Sequence, residues 1–166
     1  GLHLLVRAVA SPTRGARAAS LRGVVEAERL TSFCFQSFQP RERLADSLAA
    51  ADVHLVSLLP ALEGFIVPSK LYGILAAARP AIFIGDTQGD LATVLRESDC
   101  GISVGVGESE CLASHLRALS ATPHRVSEMS ANARSLAAAR YTSERAVADW
   151  LEILQTISAA RTARYA

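Results

Sequence analysis

Lysine is almost missing from this chain of 166 residues: Lys70 is the only one, and sixteen arginines carry every other fixed positive side-chain charge. Long apolar runs are missing too. No stretch reaches the ~18 residues that a membrane-spanning helix needs, and no signal peptide opens the chain. Cysteine is scarce and unpatterned. Cys34, Cys100 and Cys111 are odd in number, form no Cys-x-x-Cys, and have no histidine at metal-ligand spacing. Such a set argues against a disulfide framework or a zinc ribbon and favours a reducing cytoplasm, with Cys34 read as a small buried hydrophobe in its apolar run. Aromatics make up 5% of residues and the net charge is only +1, with acids and bases mixed along the chain. No arginine cluster interleaved with aromatics is present, so neither nucleic acid nor an anionic membrane is an expected partner of this segment. His3, His54, His115 and His124 are scattered, and His54 reads as a core or strand-end residue.

What is present is apolar surface. Half the residues are hydrophobic, ample for one domain over 1–166 with a sizeable core. The chain opens on Gly1 with a strand-like run at once, and the expectation is a piece of a longer polypeptide. Strand-like and helical patterns alternate. Strands are predicted over His3–Val9, Phe33–Phe38, Val53–Leu59, Pro80–Gly85 and Gly101–Val106. Helices are predicted to about Arg29, then over Arg41–Ala50, Pro68–Ala78, Asp90–Glu97 and Glu108–Leu119. Beyond Pro123 the pattern is purely helical, Arg125–Arg140 and 143–164, broken at Tyr141-Thr142, where Thr142 or Ser143 can cap the second helix. The run Pro80–Gly85 is hydrophobic throughout, as expected of a strand covered on both faces. This βα alternation predicts an α/β fold, a doubly wound parallel sheet with C-terminal helices. Trp150, Leu151 and Leu154 are expected to pack on that sheet.

In such sheets ligands sit at the carboxyl ends of the strands, beside the helices that follow. The segment Glu63–Lys70 falls at such a place. Gly64 lets the backbone come close to a ligand. The N–H groups near Val67, Ser69 and Lys70 open a helix, where the partial positive charge suits a phosphate, and Lys70 adds a compact ammonium for the same anion. Glu63 can accept hydrogen bonds from sugar hydroxyls. Nothing in the chain supplies a Ser-His-Asp triad or a cluster of metal ligands.

The run Asp52–Val56 followed by Glu63–Pro80 resembles the donor-binding half of family-4 glycosyltransferases. These have the GT-B architecture, two Rossmann-like domains facing a cleft. The nearest flavour is the bacterial group that builds colanic acid and other exopolysaccharides. Gln39–Leu44, Ala50–Val53, Phe83–Asp86 and Met129–Arg134 match further motifs of that group, so the resemblance spans about Glu26 to Leu154. It implies a nucleotide-sugar donor, no cofactor and no metal. It also implies a lipid-linked or polysaccharide acceptor and transfer with retained stereochemistry.

Residue by residue, the resemblance puts Glu63 on the donor sugar. Gly64, Phe65, Ile66, Val67 and Pro68 lie in the loop around sugar and diphosphate, and Ser69 and Lys70 face the phosphates. Ser37, Phe38 and Gln39 fall in the loop that frames the nucleobase. Glu63 and Lys70 are the candidate catalytic residues. The family's second glutamate, which holds the ribose, aligns with Gly73 and is absent. The family's glycine-rich turn is replaced by Ala10–Gly15. The family's acceptor domain and the first strand of its donor domain have no counterpart in this chain. The resemblance places any peripheral membrane association, at the inner face, on that other domain. Alternatives are one half of a nucleotide-sugar epimerase, or a non-catalytic or truncated nucleotide-binding module.

Overall fold

The structure, a computed structural model, describes residues 6–9, 16–36 and 39–164. Its five strands are β1 (Val6–Val9), β2 (Phe33–Gln36), β3 (His54–Ser57), β4 (Ala81–Ile84) and β5 (Gly101–Val104). Between them run the helices α1 (Ala16–Ala27), α2 (Leu44–Ala49), α3 (Lys70–Ala76) and α4 (Asp90–Glu97). The chain closes with α5 (Ser109–Ala121), α6 (Pro123–Arg140) and α7 (Ser143–Arg164). All strand pairs are parallel, in two ladders: β1 with β2, and β3-β4-β5 in that order.

The three-stranded ladder carries the core, and β4 shows why its sequence is hydrophobic throughout. Successive side chains of a strand point to opposite faces. Ala81 and Phe83 enter a cluster with Leu71, Leu75 and Leu95, whereas Ile82 enters a second cluster with Val104, Leu119 and Met129. All three β4 residues are fully buried. Helices therefore cover both faces, as the apolar run requires. The long helix α6 serves both clusters: Met129 belongs to one, and Ala133, Leu136 and Ala137 to the other.

The helix ends explain how the strands are spaced. α3 stops at Ala78, which holds a left-handed φ of 53° with no glycine to ease it. Ala77, Ala78 and Arg79 then donate their N–H groups to the carbonyls of Gly73, Leu75 and Ile74, so the last turn is satisfied before Pro80 begins β4. At the start of β3, His54 Nε2–H donates to Leu48 O at 2.8 Å, and Arg79 Nη2–H donates to Ala49 O at 2.6 Å. These two side chains tie off the carbonyl end of α2. Burial holds the His54 pKa below 6.5, against the opposing effect of its backbone hydrogen bond, so the ring is a strand-end histidine as expected.

One expectation fails. Trp150, Leu151 and Leu154 do not pack on the sheet: they are 65%, 53% and 55% exposed. Thr142 Oγ1 accepts the N–H of Arg145 at 3.2 Å, starting α7 as a separate helix. No described residue of α7 joins the buried core. An amphipathic stripe records that one face is apolar, not which surface it meets. Among the described residues no helix is long and apolar enough to cross a membrane. Cys100 is buried and Cys111 exposed, both as free thiols, and burial pushes Cys100 up to about 11.

Candidate functional site

The carboxyl ends of β3, β4 and β5 each continue into a loop, and the loop after β3 holds the predicted site. Backbone pairing persists one step past the strands, with Leu58 N–H on Ile84 O and Gly85 N–H on Val104 O. Beyond that the chain turns at Pro60–Leu62, and Leu62 O accepts the N–H groups of both Phe65 and Ile66. This tight reversal needs Gly64 in the left-handed region, at φ 84°. The reversal leaves Phe65, Ile66 and Val67 out in solvent, Phe65 by 87%.

Pro68 and Ser69 lead into the first turn of α3. Pro68 O accepts Leu71 N–H at 2.9 Å, and Ser69 gives no side-chain cap. The N–H groups of Val67, Ser69 and Lys70 have no hydrogen-bond partner among the described residues. Lys70 is exposed beside them and is in no ion pair of the described residues. Three unfilled donors and a free ammonium at one helix start offer an anion what it needs. α3 is only seven residues long, so the ammonium and the individual N–H groups outweigh the helix dipole here.

Glu63 is placed differently from Lys70. Both carboxylate oxygens are buried and have no hydrogen-bond partner among the described residues. They lie against Gly89, the N-cap residue of α4: a Cβ built there would stand 2.5 Å from Glu63 Oε2 and closer still to Oε1 and Cδ. α4 has no side-chain cap and carries Asp90 in its first turn, and the Glu63 carboxylate lies beside the same helix start. A carboxylate with unused lone pairs can accept hydroxyl hydrogens. The Asp86–Gly89 turn keeps this arrangement: Asp86 Oδ1 accepts Gln88 N–H at 2.9 Å, and Asp86 O accepts Gly89 N–H at 3.3 Å.

Gly89 is the residue that sequence reasoning missed. It sits 26 positions from Glu63, and the segment Asp86–Gly89 reads only as a turn. The sole available signal was a glycine directly before a helix at the carboxyl end of a strand.

Gly73 lies on the side of α3 turned to α2, where an added Cβ would come 3.2 Å from Leu48 Cδ1. A longer side chain there must pass the α2–α3 contact. Gln39 is half-buried, while Ser37 and Phe38 lie outside the described residues. Among the described residues no three His, Cys, Asp or Glu side chains gather as a metal site would.

Neither a protein-family model nor a curated protein matches the chain. Among solved structures the chain is similar to sucrose-phosphate synthase from Thermosynechococcus elongatus, with a TM-score of 0.71 and 21% sequence identity. That likeness covers 93% of this chain and 38% of the other, so the chain spans well under half of its structural neighbour. It shows the fold: an α/β unit with parallel strands, Rossmann-like, of the kind that forms one half of a GT-B protein.

Proposed function

We propose that this chain is the donor-binding half of a GT-B glycosyltransferase and holds a nucleotide-sugar at the carboxyl ends of β3 and β4. The observation that carries the reading is the start of α3, where the N–H groups of Val67, Ser69 and Lys70, unpartnered among the described residues, lie beside the chain's single lysine. A diphosphate suits this set, because it presents several anionic oxygens to short, directional donors. In transfer, the same groups would stabilise the negative charge that develops on the leaving diphosphate. Glu63 would accept hydroxyl hydrogens of the donor sugar, with its position set by Gly89.

The structural neighbour, a synthase of sucrose phosphate by its title, supports the reading through fold alone. Membership of family 4, a colanic-acid or exopolysaccharide type of product, retained stereochemistry and a lipid-linked or polysaccharide acceptor are parts of the same proposal. The acceptor would be presented by a second domain, since holding two reactants across a cleft supplies much of such a rate enhancement.

A second reading, a nucleotide-binding module without catalysis, draws on Gly73. The family's ribose-holding glutamate is missing, and its position faces Leu48.

A thermal-shift panel of nucleotide-sugars, free nucleotides and free sugars tests the proposal. A ligand at a hundredfold excess over its Kd adds about 2.7 kcal/mol, which is ~5–10 °C for a chain of this size. The proposal expects that rise from at least one nucleotide-sugar and none from the free sugars. No rise from any nucleotide or nucleotide-sugar would contradict it.

A further inference from the structure

The opposite edge of the sheet, where the strands begin, carries a cleft that the nucleotide-sugar reading does not use. Its volume is about 700 Å³, within the range of small-molecule sites. Asp52 before β3 and Arg79 before β4 line it from the sheet, and Ser120, Ser127, Ser130 and Arg134 line it from α5 and α6.

Arg79 is held in place by its Nη2–H on Ala49 O, yet its Nε is buried without a hydrogen-bond partner among the described residues. A buried guanidinium N–H left without an acceptor is costly, and natural sites supply one from water or a ligand. Arg134 has no ion-pair or hydrogen-bond partner among the described residues, and neither do the hydroxyls of Ser120 and Ser130. The first turn of α6, an 18-residue helix without a side-chain cap, also borders the cleft through Pro123 and Val126. Several of the competing carbonyls at the ends of α3 and α5 are already occupied. Ala77, Ala78 and Arg79 take those of α3, and Thr122 takes Leu119 O through its N–H and Ala118 O through Oγ1.

We propose that this cleft is a second binding site, for a small phosphate monoester. Its phosphate lies between the Arg79 and Arg134 guanidinium groups, with the Ser120 and Ser130 hydroxyls donating to the remaining oxygens. Two planar cations and rotatable hydroxyls match a tetrahedral anion with several acceptor oxygens. Asp52 is the one carboxylate in the lining. It opposes a bare anion but accepts a hydrogen bond from a hydroxyl, so the organic part of the ligand carries a hydroxyl group. This site is independent of the nucleotide-sugar reading.

The test is an amide-shift titration of the 166-residue chain with glycerol 3-phosphate, inorganic phosphate and glycerol at fixed ionic strength. Saturable shifts at Ala78, Arg79, Ser120 and Ser130 are expected, tighter with glycerol 3-phosphate than with phosphate and absent with glycerol. Arg134→Gln, on an exposed residue that leaves the core untouched, should weaken glycerol 3-phosphate at least tenfold. Asp52→Asn should reduce or reverse the preference for the ester over phosphate. Absence of saturable shifts at these amides, or equal affinity in Arg134→Gln, would overturn the proposal. So would shifts confined to 64–70 that vanish in Lys70→Ala, because the phosphate would then lie at the other edge.

Discussion

The placement of Glu63 can be tested without knowing any ligand, by replacing Gly89 with alanine. The backbone at Gly89, φ −72° and ψ 175°, is open to any residue, so alanine brings no conformational strain of its own. What it brings is a methyl group 2.5 Å or less from three atoms of the Glu63 carboxyl group. Gly89 is pinned by its N–H on Asp86 O and by Thr93 N–H on its own carbonyl. The carboxylate, at the end of a flexible side chain, is therefore the part that moves.

The energy terms nearly cancel. Leaving a helix start costs the carboxylate about 0.3–1 kcal/mol, up to ~2 when partly buried. Rehydrating its unpartnered oxygens returns about 1–3 kcal/mol, while alanine is a poorer N-cap than glycine by up to ~1 kcal/mol. At central values these terms offset to within about 1 kcal/mol, or ~2–4 °C in melting temperature. At their extremes stability changes by no more than about 2–3 kcal/mol in either direction. The loop should change far more: the amide resonances of Gly64 to Val67 shift in Gly89→Ala while those of the core strands stay. In a Glu63→Ala background the same substitution should leave the loop resonances in place, a coupling that a double-mutant cycle reads directly. Unmoved loop amides in Gly89→Ala, or the same displacement with and without Glu63, would refute the contact.

Three further outcomes follow from the structure. Ala78→Gly should raise stability by about 0.5–1 kcal/mol, since the strain of a left-handed alanine exceeds the entropy that glycine adds to the unfolded chain; a lowered midpoint in urea would contradict this. His54 is held below its ordinary 6.5 by burial, so the unfolded chain takes up a proton first as the pH falls. The stabilisation from keeping His54 neutral is then complete above 6.5 and is lost as the pH falls from there toward the lowered folded value. His54→Gln should flatten the drop in melting temperature between pH 7 and 5, and an equal drop in both proteins would count against it. Finally, iodoacetamide on the native protein should label Cys111 and spare Cys100, whose thiol is buried and pushed up to about 11; peptide mass spectrometry showing equal labelling would contradict the packing.

The central ladder was legible because β4 reads as an unbroken apolar run, and only a strand covered on both faces needs one. The five strands, the break at Thr142 and the strand-end role of His54 were likewise written in local patterns. The α3 boundaries were less so. Ser69 looks like a capping residue yet makes no cap, and Ala78 ends the helix in a conformation that an alanine does not advertise. The Lys70 half of the candidate site was visible because helix start, glycine turn and lysine are neighbours in the chain. The Glu63 half was not: its environment is made by Gly89, which only the fold brings near. α7 marks the same limit, since Val147, Trp150, Leu151 and Leu154 recur at helical spacing while the surface they meet is not a local property. Residues 37 and 38, expected beside the nucleobase, lie outside the described structure.

Lys70 and the open N–H groups beside it are the centre of the proposed donor site. The decisive measurement is calorimetric titration of the chain and its Lys70→Ala variant with the nucleotide-sugar that raises the melting temperature most. Loss of a charge-assisted contact to a phosphate is worth about 1.5–3 kcal/mol, so the account predicts affinity weakened ~10- to 100-fold with the fold intact. An unchanged Kd in Lys70→Ala would contradict it.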